Sequence, residues 1–250
     1  MSIKILANCV GCQACYNICP TKAFQFIDKM PIFARPDSCM SCGHCYAICP
    51  VGAITIFDKE PDSEPLEPPH TVEGAIKFRR SVRRFAPQPL PKEFISDIID
   101  ITKFCPSARN LRPIRYVVLS RTAMDCLAEE IAKSCDSAFP GLHKLQSRFD
   151  VIFRGAQHCI VTYAEITAVS VVQDSAIQIS TLELYCQNKG IGCVWIGFLT
   201  KACKVNPSLL RLMNLDCDHV QVLSCLGIGI PAIKYKRSVA RKDEIITFRD

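Results

Sequence analysis

The sequence predicts an α+β protein in two unequal parts. Three observations carry this: a cysteine-rich internal repeat in the first fifty residues, a proline- and acid-rich break after it, and a longer stretch where helix-period and strand-period runs follow one another. Cys9, Cys12, Cys15 and Cys19 precede Pro20, and Cys39, Cys42, Cys45 and Cys49 precede Pro50. The blocks CVGCQACYNICPTKAFQFID and CMSCGHCYAICPVGAITIFD align without a gap at an offset of thirty residues. Each ends in an alternating stretch, 23–27 or 53–57, that reads as a β-strand.

Each block reads CxxCxxCxxxCP. Thiolates three positions apart on a tight loop can take three corners of an iron-sulfur cube, while the cysteine before proline is turned away and reaches the other cube. This assigns Cys9, Cys12, Cys15 and Cys49 to one [4Fe-4S] cluster, and Cys39, Cys42, Cys45 and Cys19 to the other. Structural zinc is the rival reading, but zinc sites usually join two ligand pairs across a longer spacer. His44 lies inside the second motif. With four thiols already present it is expected to be an ordinary loop histidine.

The chain has 250 residues, 49% hydrophobic and 22% charged, which is a globular composition with room for one small and one medium domain. The first cluster cysteine arrives at position 9 and no run of eighteen apolar residues exists, so neither a signal peptide nor a membrane span is expected and the location is read as cytoplasmic. Nine further cysteines lack metal spacing, fit a reducing interior, and are read mostly as small buried hydrophobes. Of the net charge of +6, residues 1–58 carry +1, which two loaded clusters would turn to about −3. Residues 73–250 carry +8, where an anionic cofactor or substrate belongs.

In chain order, the first domain is expected over 1–58 and an interdomain linker over 59–72, where four prolines and several acids cannot build a core. A second domain follows over 73–250. It opens with a helix over 72–80 and the run Arg79-Arg80-Ser81-Val82-Arg83-Arg84-Phe85. Charge alone would allow a nucleic-acid patch, but arginines at alternate positions around a hydroxyl converge on one face of an extended segment, which suits a single phosphate. No nucleic-acid partner is therefore expected. Helices are expected over 91–104, ended by Pro106, and over 123–133. A long helix over 171–188 is apolar nearly all round, so it should be buried, and Gly190 closes it. Strands are expected over 116–119, 159–163 and 220–228, mostly antiparallel, with a short helix near 207–213. Trp195 is expected in the core.

Residues 1–58 resemble a bacterial-type two-cluster ferredoxin. Residues 73–250 resemble the FMN-dependent nitroreductase family: RRSVRRF is similar to its phosphate-binding segment, PSARNLRP to its PSxxNxxP loop, CVWIGF to the strand end beside the flavin, and the basic tail to its C-terminal arm. The resemblance implies an intertwined homodimer in which Arg79, Ser81 and Arg83, with Arg241 or its neighbour Lys242, hold the FMN phosphate and Arg80 lies at the flavin's polar edge. Pro106, Ser107 and Asn110 would approach from the partner subunit, and the Gly197 N–H, with Ile196 beside it, would face flavin N5. Arg112 and Ile114 depart from the Gln and aromatic often found near the loop proline. No GxGxxG follows an expected strand, so no separate nicotinamide domain is expected. The implied activity is reduction of nitroaromatic compounds or quinones with electrons from NAD(P)H or reduced ferredoxin. The alternative is an electron-transfer protein serving a partner protein.

Overall fold

A computed structural model describes residues 3–61, 71–135, 137–146 and 150–249. The backbone divides into two compact units. One is built from both ends of the chain, Met1–Phe78 with Lys234–Asp250, and the other from Arg79–Ile233.

The first unit contains β1 (Ile3–Ile5), α1 (Ala14–Ile18), β2 (Phe24–Ile27), β3 (Met30–Phe33), α2 (His44–Ile48), β4 (Ile54–Ile56) and α3 (Val72–Phe78). β1 pairs antiparallel with β4, Ile3 opposite Ile56, and β2 pairs antiparallel with β3. The thirty-residue repeat is written into the backbone. Left-handed residues recur as Gly11 and Ser41, Gln13 and Gly43, Lys22 and Gly52, Asp28 and Asp58. Phe24, Tyr46, Ala47, Ile54 and Ile56 form the core, and Val239 from the far end of the chain completes it. The C-terminal tail was expected with the second part; it packs instead in the first unit, where the Lys236 N–H donates to the Ala47 carbonyl at 2.9 Å. Most of the expected linker, residues 62–70, lies outside the described residues.

The second unit runs through α4 (Lys92–Asp100), β5 (Arg115–Ser120), α5 (Arg121–Ser134), α6 (Leu142–Gln146), β6 (His158–Glu165), α7 (Val171–Asn188), β7 (Gly192–Trp195), α8 (Gly197–Val205) and β8 (Val220–Gly229), with a 3₁₀ helix over Pro207–Met213. The four strands form one antiparallel sheet in the order β5-β6-β8-β7. Alternate side chains serve opposite faces: Cys159 and Val161 of β6 pack with α5 and α8, while Ile160 packs with α4 and α7. Both faces are covered, which is why the strands read as nearly continuous apolar runs. Cys135, Cys159, Cys186, Cys193, Cys203 and Cys225 are buried among them.

Two expectations need correction. α7 is not apolar all round in use: it buries one face that includes Asp174, Ser175, Gln178 and Glu183, and leaves Val172 65% exposed. The buried polar groups are satisfied, since Ser175 Oγ lies 2.8 Å from Thr162 Oγ1 and donates to Ser224 Oγ at 2.9 Å. Trp195 is 42% exposed rather than core, because its indole N–H reaches Glu183 at 2.9 Å from the rim of the sheet. Gly190, at φ 78°, closes α7 as expected: its N–H bonds the Gln187 carbonyl while the Ile191 N–H bonds that of Cys186. Among the described residues no helix is long and apolar enough to cross a membrane.

Candidate functional site

Cys9, Cys12, Cys15 and Cys49 line one cavity of the first unit, and Cys19, Cys39, Cys42 and Cys45 line another. The cysteine before each proline thus crosses to the other motif's cavity. Locally this follows from two short helices, each entered through a left-handed residue, Gln13 or Gly43, so that Cys15 and Cys45 sit one residue inside. The chain then turns back. The N–H groups of Ala23 and Ala53 donate to Cys19 Sγ and Cys49 Sγ, both at 3.2 Å. His44 opens α2 and is buried, its ring edge-on to Tyr235, so it is not the loop residue expected.

The thiols fit iron-sulfur clusters chemically. Burial first, then the neighbouring Cys49, Cys9 and Cys12, push the Cys15 thiol up to about 11 against one opposing backbone bond. Burial, with Cys42 and Cys19 among its neighbours, pushes Cys45 higher still. Such crowded thiols become thiolates only when cationic metal compensates them. Four thiols line each cavity, and a cube takes one thiolate at each of its four irons.

The second unit has a cavity of about 360 Å³ at the end of β7. The extended segment after Arg80 creates it. Ser81 bridges to Cys193 and the Val82 N–H bonds the Cys193 carbonyl at 2.8 Å, which lays Arg83 beside Trp195, Ile196 and Gly197. Arg83, Arg154 and Lys201 bring three cations to the wall, and no carboxylate is among the described lining residues. Phe139, Phe198 and Ile152 make the apolar part. Arg154 was not foreseen from the sequence. Asp150 aims it: its carboxylate accepts from the N–H groups of Phe153 and Gly155 at 2.8 and 3.0 Å, and from Arg121 at 2.9 Å. Burial would raise the Asp150 carboxyl, but those bonds outweigh it and hold it below the usual carboxylate range. Arg154 itself is held below the ordinary guanidinium range by burial and then by Arg83. Two like charges kept this close are poised for an anion.

Gly197 opens α8, and the N–H groups of a first helical turn have no intrahelical partner. A Cβ on Gly197 would meet nothing within 4 Å. The protein's own packing therefore does not require glycine there, and its effect is to leave the cavity wall open. A second cleft of about 360 Å³, lined by Thr200, Lys204 and Ser224 among others, shares Trp195, Ile196, Gly197 and Lys201 with the first.

Of the residues expected around a flavin, Arg83, Ile196 and Gly197 thus meet at one cavity, and the others do not line it. Arg79 pairs with the buried Glu183 at 3.3 Å. Burial raises the Glu183 carboxyl, with the Trp195 bond and Arg79 opposing. Arg80 is buried, and its backbone exchanges two hydrogen bonds with the Gln187 side chain. Pro106, Ser107 and Asn110 belong to a loop fixed to α7 by the Ala108 N–H, which donates to Asp174 at 3.1 Å, and Arg109, Asn110 and Arg112 in it are left-handed. Arg241 lies in the first unit, where its carbonyl accepts from Lys59 Nζ at 2.9 Å.

Two family models match the chain: "Nitroreductase family" over residues 76–230 and "4Fe-4S dicluster domain" over residues 8–53. A Methanothermobacter thermautotrophicus protein provisionally named as an NADH dehydrogenase/NAD(P)H nitroreductase is 27% identical over 162 residues, 63% of this chain and 76% of that one. The solved nitroreductase with bound FMN from Bacteroides fragilis is similar with a TM-score of 0.62 at 18% identity, covering 72% of this chain and 100% of that one. A nitroreductase with bound FMN from Desulfitobacterium hafniense gives 0.58 at 20% identity, covering 70% and 96%. At such identities the solved structures establish the fold.

Proposed function

This chain belongs to the nitroreductase family and carries a 4Fe-4S dicluster domain ahead of it, and we propose that it uses FMN and two [4Fe-4S] clusters to reduce nitroaromatic compounds or quinones with electrons from NAD(P)H or reduced ferredoxin. The observation that carries this reading is the cavity beside Gly197, where three cations, an apolar wall and an unobstructed helix start meet. FMN bound there would take an electron pair as hydride and could release electrons singly, while clusters carry them one at a time.

The chain's own residues would do the following. Arg83 and Arg154 hold the phosphate, and Lys201 adds positive charge that favours a reduced, more negative cofactor. Phe139 and Phe198, whose rings lie 5.0 Å apart, exclude water. The open face at Gly197 admits the ring system, and the N–H groups of the first turn of α8 are available to it. The eight cysteines ligate the clusters in the crossed pattern that lines the two cavities. Pro106, Ser107 and Asn110 would complete a site only in a homodimer; their exposed loop and the exposed Val172 and Ile177 of α7 support that assembly. The free cysteines suit a reducing compartment such as the cytoplasm.

The test is anaerobic reduction of the purified protein by NADH, NADPH and reduced ferredoxin in turn, followed by addition of a nitroaromatic or a quinone. Flavin and cluster bands should bleach and then recover as the small oxidant is consumed. Reduction without turnover of any small oxidant would point instead to a protein acceptor.

A further inference from the structure

We propose that residues 234–242 form a strap belonging to the cluster domain, in which Arg237 positions the backbone of Cys49 and favours the reduced form of the cluster that Cys49 ligates. The proposal rests on reading the eight cysteines as ligands of two clusters.

The last four carbonyls of a helix have no intrahelical partner. α2 carries Cys45 and is capped by Cys49, so its last carbonyls, 46–49, lie within the cluster ligand set. The strap donates to three of the four, and the Cys49 carbonyl also accepts from the Gly52 N–H at 3.4 Å. Arg237 Nη1 donates to the carbonyls of Tyr46 and Cys49 at 2.9 and 2.5 Å, and the Lys236 N–H donates to that of Ala47 at 2.9 Å. A cation at a helix C-terminus also meets the negative end of the dipole. The packing is built for it: Gly43 is left-handed, and a Cβ there would come within 2.4 Å of Val239 Cγ1. Every one of these contacts falls on the second repeat.

Arg237 is only 8% exposed, so its charge is screened less than a surface cation's. It is held at the carbonyl of Cys49, a few bonds from the sulfur. An added electron makes that cluster more negative, and a fixed positive charge so near lowers the cost.

The measurement is an anaerobic redox titration of the full chain, followed by electron paramagnetic resonance, with iron content determined in parallel. Arg237→Gln removes the charge and Arg237→Lys keeps it without the fork. With iron retained, Arg237→Gln should make one cluster about tenfold harder to reduce, which is about 59 mV for one electron, while Arg237→Lys stays near wild type. A purely structural role would affect both variants' thermal stability and neither midpoint, so unchanged midpoints in an iron-replete Arg237→Gln protein overturn the proposal. If Arg237→Gln loses iron, Arg237→Lys decides: full iron and a wild-type midpoint sustain the proposal, and loss of iron there too reduces the strap to a folding element. Absence of iron from the wild-type protein would sink the ligand reading itself, a separate outcome.

Discussion

Arg154→Ala tests the anion site at the residue the sequence left unremarked. A hydrogen bond to a charged group contributes about 1.5–3 kcal/mol, so losing one to a phosphate should weaken FMN binding by roughly ten- to 150-fold. The structure argues for the high end. Burial and Arg83 both disfavour the charged Arg154, a cost already met in the free protein that a bound anion relieves, so binding gains from it. The same reasoning gives a second sign: without flavin, the Arg154→Ala protein should unfold no earlier than wild type, and its midpoint should rise as repulsion with Arg83 disappears. Flavin fluorescence quenching on titration of deflavinated protein measures affinity, and thermal unfolding of the same sample measures stability. Riboflavin, which lacks the phosphate, should bind wild type and variant alike. An equal loss for riboflavin and FMN, or no loss for FMN, would refute the assignment of the cavity's cationic wall to the phosphate. Combined with Arg83→Ala, the two losses should couple, since both cations would meet one anion.

Four more outcomes are expected. Cys19→Ala should damage the cluster otherwise held by Cys39, Cys42 and Cys45 and spare the other, which resonance spectra of the reduced protein would resolve; selective loss of the other cluster would contradict the crossing. Ser175→Ala breaks the buried chain linking Thr162 and Ser224 at a cost of about 1–3 kcal/mol, and should lower the thermal midpoint by roughly 2–4 °C per kcal/mol for a unit of this size. Residues 79–233 alone should bind FMN and reduce nitro compounds with NAD(P)H but lose ferredoxin-driven reduction. A 71–250 fragment should aggregate more, because the strap then exposes Val239 without its partner, and light scattering compares the two.

What the sequence disclosed was whatever local chemistry determines. The bounds of α7, its Gly190 cap and three of the sheet's four strands follow from periodicity and from φ preferences acting within a few residues, whereas β7 is met only through the CVWIGF resemblance. The crossed cysteine sets were legible because the motif itself fixes which thiol turns away. Side-chain use was less so. Composition marked α7 as apolar, yet its buried face holds Asp174 and Glu183, because their partners, the Ala108 N–H and the Trp195 indole, come from outside the helix, the first of them 66 residues away. Arg154 had only a faint signal, an Asp three residues before Phe153 and a Gly after the Arg, which marks a turn but not what the turn faces. The tail was misassigned for a related reason: its basic residues suit a phosphate as well as they suit orphan carbonyls, and only tertiary structure decides between them.

The tail's placement also changes the charge argument. Partition along the sequence gives the catalytic part +8, but the unit Arg79–Ile233 holds 18 basic and 13 acidic residues, a net of +5. The strap segment 234–250 takes six basic and three acidic residues to the cluster unit. Eight thiolates and two oxidised cubes contribute about −4, so the strap's +3 offsets most of the clusters' own charge. The offset is not uniform. Arg241 and Lys242 are exposed, and ions within a Debye length of about 8 Å at physiological salt screen them, whereas Arg237 is buried against Cys49 and is screened far less. Raising ionic strength should therefore strip away the general part of the strap's influence and leave the part that Arg237 exerts. Counted over the whole unit, Met1–Phe78 with Lys234–Asp250 holds 12 basic and 11 acidic residues, so two oxidised clusters leave it near −3, against −6 without the strap; on the proposed function, each added electron meets a less negative domain, with one cation fixed where the new charge arrives.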